Sequence, residues 1–218
     1  MATRSFLSLL VLFAGAIALT ALAATGRLVP GESSVARSLQ DAPLGAAIEE
    51  VADVLASPFV EYTLVGVMAI WAWRLRQHAL AAAALLALAG MALNPAIKEL
   101  IQRDRPTDAD VMIREHAGGF GFPSGHVQSA TIVYGYAAFV AWRLAPRVAA
   151  SVVIVAAVLA VMAIAFDRVY NGAHWPSDVA GGALIGLLLI VAAVRLPGWL
   201  APRARGATRG SPRRRDFG

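Results

Sequence analysis

The chain has no cysteine among its 218 residues. That excludes disulfides, thiolate metal sites and a cysteine nucleophile. It has one lysine, Lys98; every other basic side chain is arginine. Charge of either sign is scarce: 15% of residues are charged and 58% are hydrophobic, whereas soluble domains carry about 25% charge. Mean hydropathy is +0.64, and no internal repeat is visible. The net charge of +5 comes from arginines crowded at the C-terminus, so it describes a tail and not a nucleic-acid surface. The richness in arginine and alanine fits a GC-rich bacterial genome. A second reason for the lone lysine is that position 98 needs a compact ammonium.

What remains is a set of apolar runs, and these predict an all-α, polytopic membrane bundle of six transmembrane helices. The first run, Ser5 to Thr25, is long enough to span. Ala21-Leu22-Ala23 resembles a signal-peptidase site, but an uncleaved helix (residues 1–25) is expected, because nothing after it looks like a soluble domain. Residues 26–57 form a polar external loop, with a weak amphipathic pattern that predicts an interfacial helix. Its charges sum to 2 − 5 = −3. Residues 58–196 hold the other five spans: Pro58–Trp73, Ala79–Ala96, Pro123–Trp142, Val148–Phe166 and Pro176 to near Arg195. Residues 197–218 read as a disordered basic tail. Arg4, Arg74, Arg76, Arg143, Arg147 and the tail all fall on one side of six spans, which the positive-inside rule makes cytoplasmic. The tail would rest on anionic inner-leaflet lipid.

Three segments then meet at the outer face. The first runs from Lys98 through Arg105 and Pro106. The second is Pro123-Ser124-Gly125-His126, with Pro123 suited to the first turn of a helix. Unpaired N–H groups at such a start bind anions. The third runs from Arg168 through His174 to Asp178. Charge at a membrane boundary is costly unless paired or useful. Lys98, Arg105 and Arg168 would repel one another without an anion between them, and that predicts a phosphate site. His174 and Asp178, four apart across a helix start, can face each other. The aspartate would fix one ring nitrogen and leave the other free to attack, while His126 could protonate the leaving oxygen.

Lys-x6-Arg-Pro, Pro-Ser-Gly-His and Arg-x5-His-x3-Asp, in this order, resemble the three-part signature of the type 2 phosphatidic acid phosphatase superfamily. The resemblance is close from Lys98 to Asp178 and looser over the six spans. It implies a lipid phosphatase in which His174 is the nucleophile, Asp178 orients it and His126 is the general acid. Lys98, Arg105, Ser124, Gly125 and Arg168 would hold the phosphate, with no metal and no cofactor. The family commonly has serine before the third-motif arginine; here Asp167 stands there, able either to pair with Arg168 or to repel phosphate.

The expected substrate is a lipid phosphomonoester or diphosphate cleaved at the outer face of a bacterial cell membrane. Undecaprenyl diphosphate stands first; phosphatidic acid and phosphatidylglycerol phosphate follow. A non-catalytic transporter would carry charges in mid-span, where this sequence has few. A haloperoxidase using the same cradle would be soluble. Arg103, Asp104 and Asp108 read as solvated loop charges or partners for Arg105. Arg114, Glu115 and His116 read as an exposed mobile loop, although contact with a head group is open. Tyr134, Tyr136 and Trp142 read as packing or interface aromatics, His78 as a surface residue without a role, and Trp175 as a possible brace for His174.

Overall fold

The structure, a computed structural model, describes residues 2–200. All regular structure among them is helical: α1 (Ala2–Ala23), α2 (Glu32–Gln40), α3 (Gly45–Leu55), α4 (Pro58–Arg74), α5 (His78–Met91), α6 (Asn94–Ile101), α7 (Gly125–Leu144), α8 (Arg147–Tyr170) and α9 (Pro176–Leu200). By length and composition, three stretches can cross a membrane: His78–Ile101, Arg147–Tyr170 and Pro176–Leu196. A fourth arises if α3 and α4, bent by 51° at Ala56-Ser57, count as one. The multi-pass helical character follows; the number six stays an expectation. α9 runs on to Leu200, so residues 197–200 of the expected disordered tail are helical; residues 201–218 lie outside the described residues.

Several boundaries differ from the sequence reading. The polar loop 26–57 folds into two helices, α2 and α3. The third apolar run breaks after Met91, and a new helix starts at Asn94 with Pro95 in its first turn. Proline cannot donate to the preceding turn, so the hydrogen-bond ladder is interrupted where it enters. Pro123 is not inside a helix: Ser124 is the N-cap of α7, and the helix begins at Gly125.

α7 is the central element. One buried cluster packs Val65 of α4, Ala83 and Ala87 of α5, Ile132, Val133, Tyr136 and Val140 of α7, and Ile190 of α9. A second joins Ala52 of α3 to Val127, Ala130 and Tyr134 of α7 and to Ala160 and Ile164 of α8. Alanine and glycine at these seams let backbones approach, which is how helices pack in lipid. A Cβ on Gly182 would lie 2.6 Å from the Ser124 carbonyl oxygen, and one on Gly186 2.8 Å from that of Gln128. α9 therefore lies against the start of α7. The tyrosine hydroxyls donate to backbone carbonyls, Tyr134 to Leu55 at the end of α3 at 2.8 Å and Tyr136 to Leu80 in the first turn of α5 at 3.0 Å. Leu85, Val148, Val152, Leu159 and Met162 point outward and stay exposed, as expected of a lipid-facing surface.

Polar contacts tie the loops to this frame. Asn94 donates to Gln128 Oε1 at 3.0 Å, and Gln128 donates to the Gly90 carbonyl at 3.2 Å. α6 is thereby held beside the start of α7. Gln102, with φ of 53°, ends α6 and turns the chain into the 103–124 loop. Gln40 of α2 donates to the Met112 and Tyr170 carbonyls and accepts from the Met112 N–H. Gly172 has φ of 69°, and a Cβ there would lie 2.4 Å from the Met112 carbonyl, so this corner requires glycine.

Candidate active site

A cavity of about 410 Å³ opens among α4, α5, α6 and α7. Lys98, Arg105, Gly125, His126, Arg168 and His174 all line it. Residues separated by 76 positions of chain are therefore gathered by α6, the 103–124 loop, the start of α7 and the α8–α9 corner. Two of the expected residues lie behind this lining. Asp178 is fully buried. Ser124 is also fully buried; its N–H donates to the Asp178 carbonyl at 3.0 Å, and its hydroxyl has no partner among the described residues.

His174 is 3% exposed. Its Nε2 lies 3.1 Å from an Arg105 guanidinium nitrogen. Guanidinium can only donate, so Nε2 must carry the lone pair and Nδ1 the proton. Nδ1 faces Asp178 Oδ2 at 3.6 Å, longer than a full hydrogen bond. Burial is the larger influence on this ring: it pushes the His174 pKa down to about 4, although Asp178 pulls the other way. At neutral pH the imidazole is uncharged, and its Nε2 lone pair accepts from Arg105 at the cavity wall.

Asp178 is held from two sides. Oδ2 accepts from the Trp175 N–H at 3.0 Å, and Oδ1 from Arg103 at 2.6 Å. Arg103 also reaches Glu32 at 3.1 Å and the Ser177 hydroxyl. Glu32 accepts in turn from the Ser177 N–H at 2.8 Å and the Val29 N–H at 2.9 Å. Arg103 is not a solvated loop charge: it is 2% exposed and joins Glu32 of α2 to Asp178. Asp104 and Asp108 are exposed. Sequence reasoning missed Glu32, Arg103 and Ser177. The available signal was the cost of an arginine at a membrane boundary, which applies to Arg103 as much as to Arg105. Trp175 is buried with Ala36, Val111 and Val169 under the His174 turn.

Of the three cations expected to be free, Arg168 is already paired, which leaves Lys98 and Arg105 to repel each other. Asp167 Oδ2 accepts from its Nε at 2.6 Å and also contacts Nη2; Glu115 lies 2.9 Å away and Asp53 3.3 Å. The open alternative for Asp167 resolves as pairing, with Asn171 holding its other oxygen at 2.8 Å. Glu115 is thus engaged with the site and not free in a loop. Arg114 donates to the Tyr170 carbonyl at 2.6 Å and lies 4.1 Å over the Tyr170 ring. His116 is exposed. Arg105 donates to the carbonyls of Gly118, Gly119 and Ala173; neither it nor Lys98 has a carboxylate partner among the described residues.

Comparison with known proteins bears on this arrangement. The family model described as PAP2 superfamily matches residues 78–201. Phosphatidylglycerophosphatase B of Bacillus subtilis is 40% identical over 100 residues, covering 44% of this chain and 47% of that protein. The putative undecaprenyl-diphosphatase YbjG of Escherichia coli is 33% identical over 135 residues, covering 58% and 63%. The chain thus spans about half to just under two thirds of these relatives' length. The crystal structure of a transmembrane PAP2-type phosphatidylglycerolphosphate phosphatase from Bacillus subtilis matches with a TM-score of 0.69 and 24% identity, over 89% of this chain and 98% of that one. At that identity it speaks for the fold.

Proposed function

The chain belongs to the PAP2 superfamily, and from that premise we propose that it is a membrane lipid phosphatase acting through a phosphohistidine. The observation that carries the reading is the His174 ring: neutral, backed by Asp178, its Nε2 turned to the cavity that His126 shares. Nε2 attacks phosphorus. Arg105, which donates to Nε2 at rest, turns to a phosphate oxygen and frees the lone pair. The P–O bond to the lipid breaks, and His126 gives its proton to the departing oxygen. Water, losing a proton to His126, then cleaves the P–N bond and phosphate leaves. Lys98, Arg105 and the Gly125 N–H neutralise charge on the phosphoryl oxygens. Ser124 would join them only by giving up its present burial. A wall of guanidinium and ammonium suits an anion and repels a metal ion, so the reaction needs no metal. Tyr62, Leu88 and Met91 extend the cavity toward the gap between α4 and α5, which is the path for the lipid chain.

The charge balance favours a lipid phosphomonoester. Two cations without carboxylate partners match a phosphate of about −1.5 to −2; a diphosphate carries more. The topology expected from the arginines, with the site outside and both termini in the cytoplasm, supports undecaprenyl diphosphate as the second reading. The test is phosphate release by purified protein from phosphatidylglycerophosphate, phosphatidic acid and undecaprenyl diphosphate at matched detergent ratios. Turnover should survive EDTA, with the monoesters ahead. No release from any of the three would remove the reading, and a reporter fused after Gly218 that reads periplasmic would reverse the orientation.

A further inference from the structure

A carboxylate that the reaction above does not use lies deeper in the same cavity. Glu61 of α4 is 4% exposed and lines the cavity with His126 and His174. Its Oε1 accepts from the Ser129 hydroxyl at 2.9 Å, and that hydroxyl also lies 3.1 Å from the His126 carbonyl. Oε2 has no protein hydrogen bond among the described residues. Acids in the first turn of a helix complement its dipole, and Glu61 sits in such a turn, but an exposed carboxylate does that equally well. Burying one beside the general acid is costly unless it meets a polar partner.

The position tells which part of a substrate it would meet. Ser129 is three residues beyond His126 on α7, about 4.5 Å further along the helix axis and away from the end that holds Arg105, Arg168 and His174. With phosphorus at His174 and the leaving oxygen at His126, the next atoms of the leaving group run toward Glu61. We propose that Glu61, oriented by Ser129, is a leaving-group subsite that takes a free hydroxyl on the carbon next to the phosphate-bearing one, as in a glycerol phosphate head group. The subsite rests on the lipid-phosphatase reading and narrows it. A hydroxyl there donates to Oε2. A diphosphate would put its second, strongly hydrated phosphate against this buried side chain, which offers it no cation, and burying that charge unpaired opposes binding. Phosphatidic acid offers only esterified oxygens there and is neither helped nor opposed. Glu61 is thus a specificity residue, separate from those that hold the transferred phosphate.

The test uses the full chain in detergent and measures kcat/KM for phosphatidylglycerophosphate, its 2-deoxy head-group analogue, phosphatidic acid and a prenyl diphosphate. In the wild type the 2-deoxy analogue should lose about tenfold. In Glu61→Ala the natural head group should fall to the level of the analogue, phosphatidic acid should stay within about twofold, and the prenyl diphosphate should hold or rise. Ser129→Ala should give the same pattern at smaller amplitude. Equal wild-type rates on the head group and its 2-deoxy analogue would overturn the subsite while leaving the phosphatase intact. So would a uniform loss across all substrates in Glu61→Ala, which would mark a merely structural carboxylate. Absence of wild-type activity on every lipid would overturn both.

Discussion

Arg103 and Arg105 are two residues apart, yet they belong to different layers of one site. Arg103 stands in a backing layer, buried between Glu32 and Asp178, with its charge fully answered. Arg105 stands in the front layer, hydrogen-bonded to carbonyls and to His174 but to no carboxylate among the described residues. The same guanidinium serves two ends. A buried, compensated charge fixes geometry and is costly to break. A half-buried charge without a counter-ion holds attraction in reserve for an anionic substrate. The two layers should therefore fail in different ways.

The front layer should show the largest losses. His174→Ala should lower kcat by at least about 10³-fold while the protein still inserts, because it removes the attacking atom; normal phosphate release by that variant would dismiss the nucleophile. The same ring sets a pH limit. Below about pH 4 the lone pair is protonated and attack stops, so ionisation of His174 permits activity well below the range of an ordinary histidine. A ¹⁵N titration of the histidine rings in detergent should find one midpoint near 4 that is missing in His174→Ala. If the midpoint lost in His174→Ala lay near 6.5 instead, the ring would be solvated.

The next effects separate the layers directly. Arg105→Ala should cost about 10²-fold in kcat/KM, the scale of one lost charge-stabilising donor, with little change in unfolding temperature. Arg103→Ala should instead destabilise by about 3–5 kcal/mol, because it strands two buried carboxylates. Adding Glu32→Ala to it should recover part of that loss, since neighbours in one network are not additive. Both measurements are thermal unfolding in detergent beside phosphate release. If Arg103→Ala unfolded normally and lost only activity, the division would collapse.

The two layers were also unequally legible in the sequence. Lys98, Arg105, His126, Arg168, His174 and Asp178 stand at spacings that survive without a structure, and their convergence needs only helices that end on one side. Apolar runs located those helices to within a few residues. They failed where an interruption was chemical and not compositional: Asn94-Pro95 lies within an apolar run yet breaks it. The backing layer depends on Glu32, 71 residues before Arg103 and in a loop whose charges give no register. Glu115 could not be placed either, because its role depends on how the 103–124 loop folds back over Arg168.

Glu115 gives the smallest effect and the finest distinction. Its carboxylate lies 2.9 Å from Arg168 and its side chain is 42% exposed, so the pair is solvent-screened and worth under about 1 kcal/mol. Arg168 keeps Asp167 as a close partner even when Glu115 leaves. A substrate phosphate that reached Arg168 would compete with Glu115 and Asp53, so at this contact the compensated and uncompensated layers can exchange partners. Glu115→Gln removes the competitor's charge but keeps its shape. KM should fall by up to about fivefold, the equivalent of that energy, with kcat nearly unchanged, because the carboxylate competes with binding and takes no part in bond breaking. A KM that rises would mean that Glu115 assists the head group, and Arg168 would then belong wholly to the backing layer.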